Sequence, residues 1–258
     1  MRNLKLVVEY NGENFFGWAR QPGLRCVESA LSDAVFRFTK KKVKIIGSGR
    51  TDTGVHAIGQ VANFRLATKK SLEEIRSALN GNVPKDIKVR AIFEEKPGFH
   101  ARFSAKSRTY VYHILNGSYA PFYLEKFTYH VRKKLDLALM RKAARLILGC
   151  HDFASFANCD KGQKNTRRNI LQVKISRQKV PAFFSSAKKE KGLALISFEI
   201  KANAFLYRMV RNIVGVLLAV GEKKIAPHEI LEILELRDRR KAFRAVPARG
   251  LCLVNVEY

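Results

Sequence analysis

Twice along this chain, apolar residues switch between period-two and helical spacing in the order strand, helix, strand, helix, strand. That order restricts it to folds in which helices pack on a sheet. Residues 4–10 read as a strand, and Asn11-Gly12 ends it in a turn. Residues 27–38 place Val27, Ala30, Leu31, Ala34, Val35 and Phe38 at helical intervals. A short strand over 43–47 runs into a glycine-rich turn, and another strand covers 60–66. Ser71 and Glu74 form a capping-box pair that opens a helix running to about Leu79, closed by Asn80-Gly81. Strands follow over 89–94 and 109–115, then an amphipathic helix over 136–148 stopped by Gly149. Beyond it come strands over 173–177 and 194–200, and an apolar helix over 207–220 ended by Gly221. A helix over 227–235 has Pro227 in its first turn, and 251–258 is a last strand. The expectation is an α+β architecture with a mostly antiparallel sheet. The expected division is an N-terminal subdomain of residues 1–105 and a C-terminal one of 106–258.

Charge narrows the partners. The chain has 258 residues, enough for a sizeable core, and a formal net charge of +27. So basic a protein is expected to bind a polyanion, because neutralising phosphates releases their counterions. A ribosome-associated protein or a thermophile surface rich in Lys and Glu is the competing reading; the latter usually balances its signs, and this chain does not. The segment before Lys106 holds 19 basic and 10 acidic residues, and the rest 30 and 12, so the second half is about twice as positive. Charge does not separate RNA from DNA, but no zinc-ligand or helix-turn-helix pattern supports DNA. Residues 1–8 hold too short an apolar run for a signal peptide, and no stretch approaches the ~18 apolar residues of a membrane span. Cys26, Cys150, Cys159 and Cys252 show no paired spacing, and Cys150, His151 and Cys159 lack a fourth zinc ligand. Reduced cytoplasmic thiols are the expectation, with no metal.

The densest polar stretch is Gly47-Ser48-Gly49-Arg50-Thr51-Asp52-Thr53-Gly54-Val55-His56-Ala57. Its glycines imply a tight turn or the close approach of something else. A carboxylate two residues after an arginine in such a loop can be held ionised and act as nucleophile, base or metal ligand. The same residues also make a Thr-Asp-Thr-Gly turn whose Asp caps backbone, and on the residues alone that turn is the stronger reading.

A resemblance changes that balance. The stretch resembles the signature of the tRNA pseudouridine synthase A family, and the likeness extends over nearly the whole chain. It includes the segment from Tyr10-Asn11-Gly12 to Phe16-Gly17-Trp18, and Phe99-His100-Ala101-Arg102-Phe103-Ser104-Ala105 followed by Arg108-Thr109-Tyr110-Val111-Tyr112. It also includes His151-Asp152-Phe153 with Phe156, the run from Asn203-Ala204-Phe205 to Arg211-Asn212-Ile213-Val214-Gly215, and Pro247-Ala248-Arg249-Gly250-Leu251. The resemblance implies a cofactor-free uridine isomerase acting at positions 38, 39 and 40 of the tRNA anticodon arm, and a homodimer. The fold it implies is the pseudouridine synthase fold: two α+β subdomains, each on a mostly antiparallel sheet with flanking helices, around a central catalytic cleft.

Residue by residue, Asp52 matches the family's catalytic aspartate. Tyr110 matches its active-site tyrosine, a ring to stack on a flipped uracil and a hydroxyl to move a proton. Tyr112 lies on the same strand face and is the rival. Arg211 matches an arginine that holds the aspartate ionised, with a phosphate contact as the alternative. Arg50 is a second candidate partner for Asp52, but the family uses it as a wedge that fills the gap left by an everted base. His56 reads equally as a loop anchor and is given no catalytic role. Lys161, Lys164, Arg167, Arg168, Lys174, Arg177 and Lys179 form a basic stretch read as a backbone-tracking surface for tRNA, against a solvated loop.

Overall fold

The computed structural model describes residues 1–158, 165–180 and 193–258. In chain order the elements are β1 (Arg2–Tyr10), α1 (Val27–Thr39), β2 (Ile46–Gly47), β3 (His56–Leu66), α2 (Leu72–Asn82), β4 (Ile87–Glu95) and β5 (Ser107–Asn116). Next come α3 (Phe122–Glu125), β6 (Tyr129–Val131), α4 (Leu137–Leu146), β7 (Gly149–Asp152), β8 (Arg167–Lys179) and β9 (Ala194–Ala202). The chain ends with α5 (Met209–Gly221), α6 (Glu229–Leu236) and β10 (Leu251–Glu257). It is a mixed α+β protein whose strands pair mostly antiparallel. Two compact units divide it: Met1–Arg108 with Cys252–Tyr258, and Thr109–Leu251.

In the first unit the strands lie in the order β4-β1-β3-β10. β1 runs antiparallel to both neighbours, with Leu6 opposite Ala62 on β3 and Ile92 on β4. β10 joins β3 in parallel, Cys252 opposite His56. Alternation sends Leu4, Leu6 and Val8 to one face, where all three are fully buried. α1 contributes Val27, Leu31, Ala34 and Val35 to the core, and α2, which packs on α1 and β4, contributes Ile75 and Leu79. Each of the Val, Leu and Ile side chains contributes about 1.5–3 kcal/mol by leaving water.

In the second unit β5-β9-β8-β7 are neighbours, with β6 parallel to β5. α5 is buried nearly all round, which suits its unbroken apolar run from Ile213 to Val220. Two of its glycines let it sit close: a Cβ on Gly215 would stand 2.5 Å from the Arg244 carbonyl oxygen, and one on Gly221 2.7 Å from Met140 Sδ.

Several boundaries differ from the sequence expectation for identifiable reasons. α2 passes through Asn80-Gly81 to Asn82, because Asn80 turns its amide outward and bonds both the N–H (2.8 Å) and the carbonyl (3.0 Å) of Val89. α5 starts at Met209, two residues later than its apolar spacing implies, because Arg208 sits in the left-handed region at φ 60°. β8 begins at Arg167, so the basic residues Arg167, Arg168, Lys174, Arg177 and Lys179 lie on a strand. Lys161 and Lys164 lie outside the described residues. β6, β7 and α3 had no sequence signal, and only Ile46–Gly47 of the strand expected over 43–47 forms one.

Among the described residues, no helix is long and apolar enough to cross a membrane, and no three His, Cys, Asp or Glu side chains converge to hold a metal. Cys150 is exposed, and the neighbouring His151 Nε2 donates to the Leu148 carbonyl at 2.8 Å. The capping box is present in full: Ser71 Oγ accepts from Glu74 N–H (3.2 Å), and a Glu74 carboxylate oxygen accepts from Ser71 N–H (2.7 Å). Ser71→Ala is expected to destabilise the protein by about 1 kcal/mol in urea unfolding. An unchanged midpoint would show that tertiary packing alone holds the start of α2.

Candidate active site

Asp52 sits half-buried on the loop between β2 and β3, with Arg50 exposed two residues before it. The loop is a stack of short-range decisions. Asp52 carbonyl accepts the Val55 N–H at 3.1 Å, and Gly54, third residue of that turn, has φ +76°. That is the conformation in which glycine is preferred, so a turn forms over Asp52-Thr53-Gly54-Val55, one residue later than the Thr-Asp-Thr-Gly turn expected from the sequence. It is closed by main-chain atoms.

The loop is clamped by residues from the end of β1 onward. Tyr10 Oη and Thr51 Oγ1 meet at 2.8 Å in a buried contact. Trp18 N–H donates to the Thr51 carbonyl at 3.1 Å, and Gly54 N–H to the Phe15 carbonyl at 3.2 Å. Gly12 N–H donates to His56 Nδ1 at 3.1 Å. His56 is 5% exposed, and that bond requires Nδ1 unprotonated. It anchors the loop to the first turn of the chain. Two glycines permit the approach: a Cβ on Gly12 would stand 2.0 Å from the Val55 carbonyl oxygen, and one on Gly17 (φ +88°) 2.6 Å from that of Thr51. Burial pushes the Tyr10 hydroxyl pKa well above its usual range, so the Tyr10–Thr51 contact keeps its proton.

The loop's other end is held from a second side. Ser48 Oγ donates to Gln60 Oε1 at 2.7 Å, while Gln60 Nε2 donates to the Gly49 carbonyl at 3.0 Å. Arg108 Nη2 donates to the Ser48 carbonyl at 2.7 Å and to the Arg102 carbonyl at 2.7 Å. A Cβ on Gly47 would strike the Trp18 indole at 2.5 Å, but Gly49 has open space. Between these two sets of anchors the main chain of residues 49–53 has little freedom, and the Asp52 side chain is its half-buried acid.

In the second unit, Tyr110 on β5 is 8% exposed, with its ring edge-on to Phe205 (centroids 5.1 Å, planes 87° apart). An aromatic pair in that arrangement fixes a ring's orientation. The rival Tyr112 is fully buried and donates its hydroxyl to the Pro247 carbonyl at 2.8 Å. Burial raises its pKa above the ordinary tyrosine range. Its ring also lies where a Cβ on Gly250 would meet it at 2.6 Å, so it packs the Pro247–Leu251 segment.

Arg211, in the first turns of α5, is half-buried. It is tied both ways to Val246: its Nε donates to the Val246 carbonyl (2.8 Å) and its own carbonyl accepts the Val246 N–H (3.3 Å). Next to it, fully buried Asn212 donates to the Phe156 carbonyl at 2.6 Å and accepts from Arg239 Nη2 at 2.8 Å. Arg239 also donates to the Ala242 carbonyl at 3.1 Å. Its pKa is lowered, first by burial and then by the nearby Arg208 charge. Sequence reading had singled out Tyr110 and Arg211 but not Phe205, Asn212 and Arg239 as their supports. On β8, Arg168 turns its Nη1 back to the Asn165 and Arg167 carbonyls, at 3.1 and 2.6 Å. Arg167 is exposed, with Nη2 4.0 Å from Cys150 Sγ.

A family model described as tRNA pseudouridine synthase matches residues 6–104 and 143–258. The chain is 40% identical over 258 residues to the tRNA pseudouridine synthase A of Acetivibrio thermocellus, covering 100% of each chain. It is 39% identical over 258 residues to the tRNA pseudouridine synthase A 2 of Clostridium perfringens, again 100% of each. To the tRNA pseudouridine synthase A of Thermotoga petrophila it is 38% identical over 257 residues, 99% of each.

The clamp has a direct test. Tyr10→Phe removes one buried hydroxyl partner and should destabilise the protein by about 1 kcal/mol. It should also speed amide exchange at Gly54 and Val55 more than in β1. Gly12→Ala should do far more, since main-chain atoms must move to admit the methyl. Exchange at Gly54 and Val55 unchanged in both variants would refute the clamp.

Proposed function

The chain belongs to the tRNA pseudouridine synthase family, and from that premise we propose that it isomerises uridine to pseudouridine at positions 38, 39 and 40 of the tRNA anticodon arm, with Asp52 as its nucleophile and no cofactor. The observation that carries the reading is the loop: a half-buried acid on a main chain that is anchored from both sides. Catalysis by a carboxylate requires that it be oriented before substrate arrives, and this one is carried on a backbone with little freedom to reorient.

The chemistry matches that equipment. The bond from ribose C1′ to uracil N1 breaks, a bond from C1′ to C5 forms, C5 loses a proton and N1 gains one. Atoms and electrons balance within the nucleotide, so the stoichiometry calls for no co-substrate. Uracil is a poor leaving group, and covalent help from an ionised carboxylate lowers that barrier. A uridine within a stem must leave the stack to be reached, and Arg50, exposed beside Asp52, is the planar cation suited to fill the gap. Tyr110 supplies a ring whose angle is fixed by Phe205, suited to stacking on uracil, and a hydroxyl for proton transfer. Arg211 supplies the positive charge that favours an ionised carboxylate. The enzyme works as a homodimer in the cytoplasm, where its tRNA substrate is. Arg167 and Arg168, together with Lys161 and Lys164, contribute positioning contacts to the tRNA backbone.

The test uses the pure protein, an unmodified tRNA transcript, and pseudouridine detection at single-nucleotide resolution. Wild type should modify positions 38–40 of transcripts that carry uridine there; modification elsewhere would overturn the positional assignment. Asp52→Asn and Asp52→Ala should lose turnover by at least about 10³-fold while binding the transcript within a few-fold of wild type. Turnover retained in either would end the nucleophile assignment. Tyr110→Phe keeps the ring and removes the hydroxyl, so full activity there would limit Tyr110 to stacking.

A further inference from the structure

The second unit contains a cavity of about 280 Å³ beside the turn that follows β5. Its walls carry Arg132 and Lys134 from the segment before α4, Arg177 from β8 and Ser118 from the turn, and its floor includes the buried Leu135 and Ile196. Among the described residues no carboxylate lines it, and none of the three cations pairs with one. The nearby acids are engaged by other lysines, Glu222 with Lys133 and Lys224, and Asp136 with Lys223.

Three carbonyls on the adjoining backbone are engaged as well. His130 Nε2 donates to the Gly117 carbonyl at 2.8 Å, and Asn116 Nδ2 donates to those of Val131 and Lys133, each at 2.8 Å. What faces the cavity is therefore rich in donors and cations over an apolar floor, which strengthens the attraction for a negative charge. The three cations come from two distant chain segments, are all exposed, and present one sign of charge to the cavity.

We propose that this cavity binds a phosphodiester of the RNA substrate, as a second contact remote from the reacting nucleotide. The proposal rests on the reading of the protein as an RNA-modifying enzyme, and adds to it a cavity in which Arg177, one of the basic stretch, is joined by Arg132 and Lys134 from outside that stretch. Two rulers within the unit give its distance. Asn116 stands six residues along β5 from Tyr110, about 20 Å at strand rise. Gly221, whose carbonyl accepts the Asp136 N–H at 2.9 Å beside the cavity floor, stands ten residues along α5 from Arg211, about 15 Å. An anion here is thus several nucleotides from the target. Its role is to fix how the RNA lies on the protein, a contact that positions without reading sequence. Arg177 separates in this way from Arg167 and Arg168 at the other end of β8.

The experiment measures binding of a labelled, unmodified tRNA transcript from about 50 to 300 mM KCl. It compares wild type, the pair Arg132→Ala/Arg177→Ala, the single Lys134→Ala, and a control pair on another exposed surface, Lys40→Ala/Lys42→Ala. The site pair should weaken binding at least about tenfold, and flatten the slope of log K against log salt by about 1.5. Lys134→Ala should flatten it by about half that. The control pair should change little in either affinity or slope. Site variants that keep the wild-type slope, or lose no more than the control, would overturn the proposal. So would a change in oligomeric mass on ultracentrifugation, which would give the cavity to a second copy of the chain. A wild type that binds tRNA through this site yet makes no pseudouridine would sink the functional reading and leave the site standing.

Discussion

Thr51 is the residue on which the candidate site turns. Its hydroxyl is fixed by Tyr10 and its carbonyl by the Trp18 N–H, so both its side chain and its main chain are bound by a segment some 30–40 residues earlier. Its neighbour Asp52 is carried on the main chain so restrained. Tyr10, Thr51, Gln60 and His56 each contribute a side chain to that restraint. Burial holds the Tyr10 proton in place, so the bond does not weaken across the pH range in which a carboxylate is ionised.

The second unit solves a similar problem with a helix. α5 is enclosed on nearly every side, and a long cationic side chain cannot be tolerated there unless its donors are met. Arg211 meets this by lending Nε to the Val246 carbonyl, which also fixes the stem of the side chain. Asn212, wholly buried, links the Phe156 carbonyl to Arg239 and so joins three separate segments around the start of the helix. Gly215 then lets the segment through Arg244 lie against α5, carrying the chain on to Val246. The Asn and the Gly that flank Arg211 in its motif thus have mechanical roles, and the arginine's placement depends on both.

Local pattern found what local forces decide. The Ser71–Glu74 cap, the apolar faces of α1 and α5 and the Leu4–Leu6–Val8 alternation could be read because each depends on near neighbours in sequence. The parts that could not be read are set by distant partners. The parallel pairing of β10 with β3 joins Cys252 to His56, and no pattern in either strand announces it. β8 is long because β9 pairs along it, even though its polar, basic face breaks the apolar alternation. Asn80 looks like a helix stop until Val89 is brought beside it. Asp52, Tyr110 and Arg211 are marked by the family resemblance, whereas the purpose of Gly12 and Gly17 is visible only in the carbonyls that their missing side chains admit.

The net charge of +27 overstates the cations available for contact. Several arginines act as internal donors to carbonyls: Arg37 to Asn82, Arg65 to Pro97, Arg141 to Ile175 and Arg249 to Thr128. Others, such as Arg25 with Asp86, are neutralised by a bidentate carboxylate. The two roles separate by range. Every uncompensated charge adds to the long-range field that draws a polyanion in, whether or not its donors are occupied. Close contact with phosphate needs donors that nothing else holds. A chain can therefore keep its attraction for RNA at a distance while confining tight contacts to a few places, and it is those places that decide how the RNA lies once it arrives.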